Sequence, residues 1–359
     1  MKKLSNIMLI LLAFFTTLIV VFCLLYNFFI GSVDKNNDKS IKVEIASGSG
    51  VDGITKILKE KELIKNELVF KIYLKFNSSP SLKAGNYNLN KSMDVKKIVN
   101  ILNEGSTYNP DEVIITFKEG INMRGIANII SKNTNNTDDE VFSLLEDKEY
   151  ISSLINEYWF LTDTISNANI YYPLEGYLFP NTYNFKNKDV KIKDIFKVML
   201  DETNDILKKY EGDIKNSKYS VHELLSLASM IELEGISKPD RINISSVFYN
   251  RLDSNMSLGS DVTTYYAHKI NMGDKDLNSS ELNINNLYNT RGPNMAGKLP
   301  IGPICNPSKD SIEAAIKPSK TDYYYFVADN KMKVYFTKNI KEHNNIINKL
   351  KKENLWNRY

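Results

Sequence analysis

Residues 7–30 carry no charged side chain: after Met1, Lys2 and Lys3 the chain runs through Ile-Met-Leu-Ile-Leu-Leu-Ala-Phe-Phe-Thr-Thr-Leu and on to Phe28, Phe29 and Ile30. About 20 apolar residues suffice to cross a bilayer as a helix, and in lipid a single segment can satisfy its own backbone only as a helix. A cleavable signal has a shorter apolar region closed by small residues, and Gly31-Ser32 is a weak version of that ending. The expectation is an uncleaved transmembrane anchor over 7–30. Lys2 and Lys3 keep residues 1–6 in the cytoplasm by the positive-inside rule. No second long apolar run follows, so the topology is single-pass, at the cell membrane, with everything after about Ser32 extracytoplasmic. Cys23 follows Phe22 rather than the small residue a lipid-modified cysteine needs, so it reads as a lipid-facing residue.

The exterior part is long enough for two or three domains. With 42% apolar and 25% charged residues it can bury a core, and a net charge of +3 gives no support to nucleic-acid binding. Two cysteines, one in the apolar run, exclude a disulfide framework; three histidines and no cysteine cluster speak against a metal site.

Residues 31–40 are polar and read as a linker. From 41 to 106 the pattern is α+β: a strand at 42–45, helices at 51–61 and 66–76, a turn into a strand over 82–89, and a helix at 95–102 stopped near Gly105. The next stretch, 107–170, starts similarly, with a strand at 113–117, a turn at Glu119-Gly120 and a helix at 123–130, so a related pair of small modules is expected. Residues 171–183 are dense in aromatics, Pro and Gly. Helices follow at about 190–210, 220–235 and 240–252, then a Gly/Pro/Asn-rich loop at 286–308 and a helix at 308–316. A strand at 323–327, a hairpin partner at 334–336 and a helix at 339–352 complete the chain. The fold class expected is α+β, with a mixed α/β region at 107–359 whose core, 171–359, is built on helices.

The helix over 226–235, Ser-Leu-Ala-Ser-Met-Ile-Glu-Leu-Glu-Gly, is the most informative place. It is apolar on most sides yet ends in two carboxylates. Glu232 and Glu234 flank the face formed by Leu224, Ala228 and Ile231, one on each side. An acid against an apolar wall has its charged form disfavoured, which suits a general acid for glycosidic cleavage. The plainer reading is a pair of solvated glutamates in the last turn of a surface helix, and spacing does not choose between Glu232 and Glu234.

That run, followed by Arg241 and by Val-Phe-Tyr-Asn-Arg-Leu at 247–252, resembles the signature of the YceG-like endolytic murein transglycosylases, the MltG family. Four further stretches agree in the same order: Leu-Glu-Gly-Tyr-Leu-Phe-Pro-Asn-Thr-Tyr at 174–183, Leu-Gly-Ser-Asp-Val-Thr-Thr at 258–264, Tyr-Asn-Thr at 288–290 with Leu-Pro-Ile-Gly-Pro-Ile-Cys-Asn-Pro at 299–307, and the segment 314–328. Gly235, Gly259 and Ile301 depart from the family pattern. The module at 41–106 resembles a LysM-like module preceding a YceG-like catalytic region at 107–359.

The resemblance implies a lyase without cofactor, acting on peptidoglycan glycan strands and forming 1,6-anhydroMurNAc ends by cleaving the MurNAc–GlcNAc bond, with Glu232 as acid and base. It implies strand termination and an association with the glycan-polymerising machinery. Expected contacts to glycan hydroxyl and acetamido groups are Glu234, Asp261, Thr263, Tyr288, Asn289 and Glu175. For each of these a role in holding loops competes, because Asp and Asn favour turns on their own. Arg251 reads as a buried ion-pair partner. The alternative from another class is a membrane-anchored, non-catalytic peptidoglycan-binding scaffold. A third reading is a two-carboxylate hydrolase, which leaves reducing ends.

Overall fold

A computed structural model of the protein describes residues 2–77 and 82–356. They fall into two compact units, Met1–Asp111 and Glu112–Tyr359.

The first unit begins with α1 (Lys2–Ile30), within which Ile10–Ile30 is long and apolar enough to cross a membrane. Strand β1 (Ile41–Ile45), α2 (Val51–Glu60), α3 (Glu67–Phe76), β2 (Gly85–Leu89) and α4 (Val95–Glu104) follow. β1 and β2 pair antiparallel, with Val43 opposite Tyr87. Alternation along the pair sends Val43, Ile45, Tyr87 and Leu89 inward, where they meet Ile54, Leu58, Phe70 and Ile98 in one core. Tyr26 and Ile30, in the last turns of α1, pack against that core. Side-chain caps start the helices: Asn66 accepts from Val69 N at 3.0 Å and Asp94 from Lys97 N at 2.8 Å.

The second unit comprises β3 (Val113–Thr116), α5 (Met123–Asn133), α6 (Asp138–Glu146), α7 (Lys148–Glu157), β4 (Thr182–Phe185), α8 (Ile192–Lys208), α9 (Glu211–Lys215), α10 (Val221–Glu234), α11 (Lys238–Asp253), α12 (Asp261–Ala267), α13 (Ser279–Leu282), α14 (Lys309–Ile316), β5 (Tyr325–Ala328), β6 (Val334–Thr337) and α15 (Ile340–Lys352). β3 pairs with β4, Ile115 opposite Tyr183, and β5 with β6, Phe326 opposite Phe336.

Two expectations are corrected. The aromatic, Pro- and Gly-dense stretch at 171–183, for which no strand was expected, runs into a strand, β4. That strand ties residues 182–185 to 113–116, so 107–170 has no core of its own. Ile115, Ile126 and Leu154 share one core with Leu224, Phe248 and Ala315.

Helix α10 runs through the middle of that core. Leu224, Leu225, Leu227, Ala228, Met230 and Ile231 are all buried, and α11, α12 and α14 pack around it. A capping box sets its start: Ser220 Oγ receives Glu223 N while the Glu223 carboxylate accepts from Ser220 N. Gly235 sets its end. A Cβ at Gly235 would stand 2.4 Å from Arg241 Cγ and 2.9 Å from Ile231 O, so only glycine lets α11 turn back this closely. The departure from the family pattern at position 235 therefore has a local packing reason.

Candidate active site

Glu232 lies in the last turn of α10 and is 9% exposed. Its Oε1 accepts from Arg241 Nη2 at 2.9 Å. Its Oε2 accepts from Ser308 N at 2.9 Å, Ser308 Oγ at 2.5 Å and Ser311 Oγ at 2.6 Å. Ser308 is the N-cap of α14, its Oγ also taking Ser311 N. The carboxylate thus sits on the N-terminal end of one helix while riding on the C-terminal end of another, and α11 supplies a guanidinium. A negative group at a helix N-terminus lies in a favourable field. In place of an apolar wall, the carboxyl oxygens meet serine and arginine, while Ile231 and Leu233 flank Glu232 along α10.

The turn between β3 and α5 closes over this carboxylate. Gly120 adopts φ +75°, and a Cβ on it would lie 3.3 Å from Leu233 Cδ2 and 3.7 Å from Glu232 Cγ. The turn is stapled to the segment before α14: Gly120 N donates to Asn306 O at 2.9 Å and Asn306 N to Ile121 O at 2.8 Å. Glu119, on the same turn, is a second carboxyl of the site. Burial pushes it above the usual carboxylate range, the charge of Glu232 adds to that, and Arg241 pulls the other way. Arg241 Nε is buried with no hydrogen-bond partner, so the guanidinium keeps one donor unused next to the acid.

Ser229, one turn before Glu232, holds the other side of the same segment. Its Oγ accepts from Ile304 N at 3.0 Å, and Cys305 Sγ donates to its carbonyl at 3.4 Å.

The remaining expected residues divide into two groups. Glu234 is half-buried and turned away from Glu232, accepting from Ser260 Oγ at 2.5 Å. Burial raises its carboxyl; the Ser260 hydrogen bond opposes that, and the Asp261 charge adds to it. Asp261 is exposed and ion-paired with Arg291.

Thr263, Tyr288, Asn289 and Glu175, expected as glycan contacts, are each at most 1% exposed. In this conformation they touch protein only. Thr263 Oγ1 donates to Ser260 O at 2.7 Å and accepts from Thr290 N at 3.0 Å. Asn289 accepts from Thr264 Oγ1 at 2.7 Å and donates to Leu282 O and Ile284 O. The Tyr288 ring packs 4.7 Å from Tyr171 and 4.9 Å from Tyr266, centroid to centroid. Glu175 accepts from Met123 N at 3.0 Å, Tyr266 Oη at 2.9 Å and Asn306 Nδ2 at 3.3 Å. All four stitch loops to helices. Among the described residues Arg251 pairs with no carboxylate; it donates to Tyr324 O and Leu258 O at 2.7 Å each and stacks on Tyr325.

Two cavities, of about 370 and 600 Å³, flank the segment Lys298–Ile301. Neither is lined by Glu232, so the carboxylate is closed off from both.

Ser308, Ser311 and Glu119 escaped the sequence reading as site residues. Arg241 stood in the recognised run but had no role. Its position nine residues past Glu232, across a glycine stop, was the available signal.

The arrangement has relatives. Residues 43–349 match the YceG-like family. Over 316 residues the chain is 41% identical to a protein of Bacillus subtilis (strain 168) named endolytic murein transglycosylase, covering 87% of this chain and 85% of that one. A protein of the same name from Streptococcus pneumoniae serotype 2 (strain D39 / NCTC 7466) is 34% identical over 325 residues, covering 87% of this chain and 58% of the relative. A crystal structure of a YceG-like protein from Listeria monocytogenes has 38% identity and a TM-score of 0.61, over 86% of this chain and 99% of that one. With this identity, carried across both units, the chain belongs to the YceG-like family.

Proposed function

We propose that the protein is an endolytic murein transglycosylase, a lyase that cuts peptidoglycan glycan strands internally. The identity of 41% to the Bacillus subtilis protein of that name, over most of both chains, supports this reading. The bond cut is MurNAc–GlcNAc, and Glu232 performs both proton transfers. Glu232 first protonates the bridging oxygen, and the C1–O bond breaks. The acetamido group of the same MurNAc stabilises the cationic C1. Glu232, now a carboxylate, removes the proton of the MurNAc C6 hydroxyl as that oxygen attacks C1. The proton balance closes within one turnover, no water is consumed, and a 1,6-anhydro end results.

The observation that carries the assignment is the holding of Glu232. Two elements, α11 and the N-terminal end of α14, converge on its two oxygens, whereas Glu234 is turned onto Ser260. The Ser308 and Ser311 hydroxyls can each donate or accept, so they serve the carboxyl in both protonation states. Arg241 suits the carboxylate that exists after the first transfer. A glycan oxygen reaching Oε1 must displace Arg241, whose unused Nε donor is available to the saccharide that does so.

The first unit, with its strand–helix–helix–strand order from β1 to β2, is a LysM-like module that adds glycan affinity. Helix α1 is its single-pass anchor, with Lys2 and Lys3 on the cytoplasmic side. An association with the glycan-polymerising machinery, and with it strand termination, rests on the family alone.

The test is mass spectrometry of glycan strands digested with the wild-type chain and with Glu232→Gln and Glu234→Gln. The wild type releases anhydroMurNAc-terminated fragments, the first variant none, and the second retains cleavage. Reducing ends from the wild type would make the protein a hydrolase. An active Glu232→Gln beside a dead Glu234→Gln would move the acid to position 234.

A further inference from the structure

Helix α3 is apolar on more sides than its packing uses. Of its ten residues, Glu-Leu-Val-Phe-Lys-Ile-Tyr-Leu-Lys-Phe, only Phe70, Tyr73 and Leu74 are buried. Leu68, Ile72 and Phe76, spaced i, i+4 and i+8, form a stripe outside the core. Leu68 is 67% exposed and Phe76 78%. An exposed apolar stripe beyond the core-facing side marks a contact with protein or lipid, and the core accounts for only one of the apolar faces of α3.

The helix lies against the end of α1. Lys65, two residues before its start, donates from Nζ to Phe28 O at 2.9 Å and sits 4.1 Å from the centroid of the Phe28 ring. Farther along, Tyr26 packs on the core to which Tyr73 of α3 belongs. The contacts of α3 with α1 therefore step back from Phe28 to Tyr26, inside the apolar run. At 1.5 Å per residue, the run Ile10–Ile30 is about 30 Å long, the thickness of a hydrocarbon core. If Ile30 marks its outer edge, Tyr26 lies about 6 Å below that edge. This is the depth at which surface-lying amphipathic helices bury their apolar faces, about 5–10 Å. Tyr and Phe side chains suit that boundary, and Lys65 and Lys75 beside the stripe suit anionic headgroups.

We infer that the Leu68–Ile72–Phe76 face of α3 is a lipid-contacting surface, seated in the outer leaflet of the membrane that α1 spans. It makes the first unit a membrane-docked body instead of a module on a free tether. The inference rests on reading α1 as the anchor, and the experiment separates the two.

Full-length chain with Cys23→Ala receives one new cysteine, at Leu68→Cys, Phe76→Cys, Lys56→Cys or Val20→Cys. Each variant is labelled with an environment-sensitive fluorophore and reconstituted into vesicles of phosphatidylcholine and phosphatidylglycerol that contain spin-labelled lipids. Val20 lies in the α1 run, and Lys56 is an exposed position on α2. Labels at 68 and 76 sit outside the core, so they leave folding undisturbed. The expected result is deep quenching at 20, shallow quenching with a blue shift at 68 or 76, and neither at 56. Quenching at 20 with both 68 and 76 behaving like 56 overturns the docking surface and leaves the anchor standing. No quenching at 20 removes the anchor and the docking surface with it. A blue shift at 68 and 76 without lipid quenching puts protein on this face and also overturns the inference.

Discussion

Glu232 and Glu175 are both carboxylates less than a tenth exposed, and the second unit treats them in opposite ways. Glu232 has a guanidinium on one oxygen and three donors on the other, and it lies where three helices end or begin. Glu175 has no ion-pair partner among the described residues; it is 1% exposed and held by a backbone amide, a tyrosine and an asparagine. Both touch the segment 306–311, Glu175 at Asn306 and Glu232 at Ser308 and Ser311. The difference separates a charge that can be used from one that is sealed in: a reacting acid needs partners that can be displaced, whereas a positioning acid needs partners that are fixed.

The largest effect that tests this contrast is Glu232→Gln, which should lower the release of anhydro ends by at least about 10²-fold, the low end of what acid–base participation contributes. Near wild-type release would erase the distinction. Arg241→Met comes next. Leaving a buried carboxylate without its ion-pair partner should cost about 3 kcal/mol in urea unfolding, together with a fall in turnover. An unchanged midpoint would show that the serines alone suffice.

Glu175 supplies the pH test, of similar size. Burial raises its carboxyl from 4.5 to about 7. Between those values the folded chain binds more protons than the unfolded chain, so stability from this group is full below about pH 4.5 and is lost as pH rises through about 7. The loss is about 3 kcal/mol, at 1.36 kcal/mol per pKa unit. Glu175→Gln should flatten that decline in urea midpoints measured from pH 4.5 to 8; a parallel decline in the variant would assign it to other groups. The smallest effect is Ser308→Ala, which removes the α14 cap and one Glu232 contact. It should cost about 1–2 kcal/mol and reduce turnover without abolishing it, with Ser311 still in place.

Helix α10 and its terminal acids were legible because their determinants are local: Ser220 and Glu223 start the helix, Gly235 stops it, and the apolar positions between leave it nowhere to go but the core. The partners of Glu232 were not, since Ser308 and Ser311 are 76 and 79 residues away in the chain, and only tertiary packing brings them in. Strand β4 was hidden for a similar reason. Its four residues form a strand by pairing with β3, not by their own pattern. For Thr263, Tyr288, Asn289 and Glu175 the sequence left a glycan contact and a loop-holding role open together. A polar residue in a Gly/Pro-rich stretch suggests an exposed ligand contact, but buried polar groups must also find partners, and here those partners are loop carbonyls, amides and neighbouring hydroxyls.

The staple between Gly120 and Asn306 has a consequence in time. A chain made from its N-terminus delivers the turn at 119–121 and the acid at 232 well before the segment that closes over them. At about 5–20 residues per second, the 76 residues from Glu232 to Ser308 take about 4–15 s to appear. During that interval the acid lacks its serines, and the turn lacks the backbone segment that staples it.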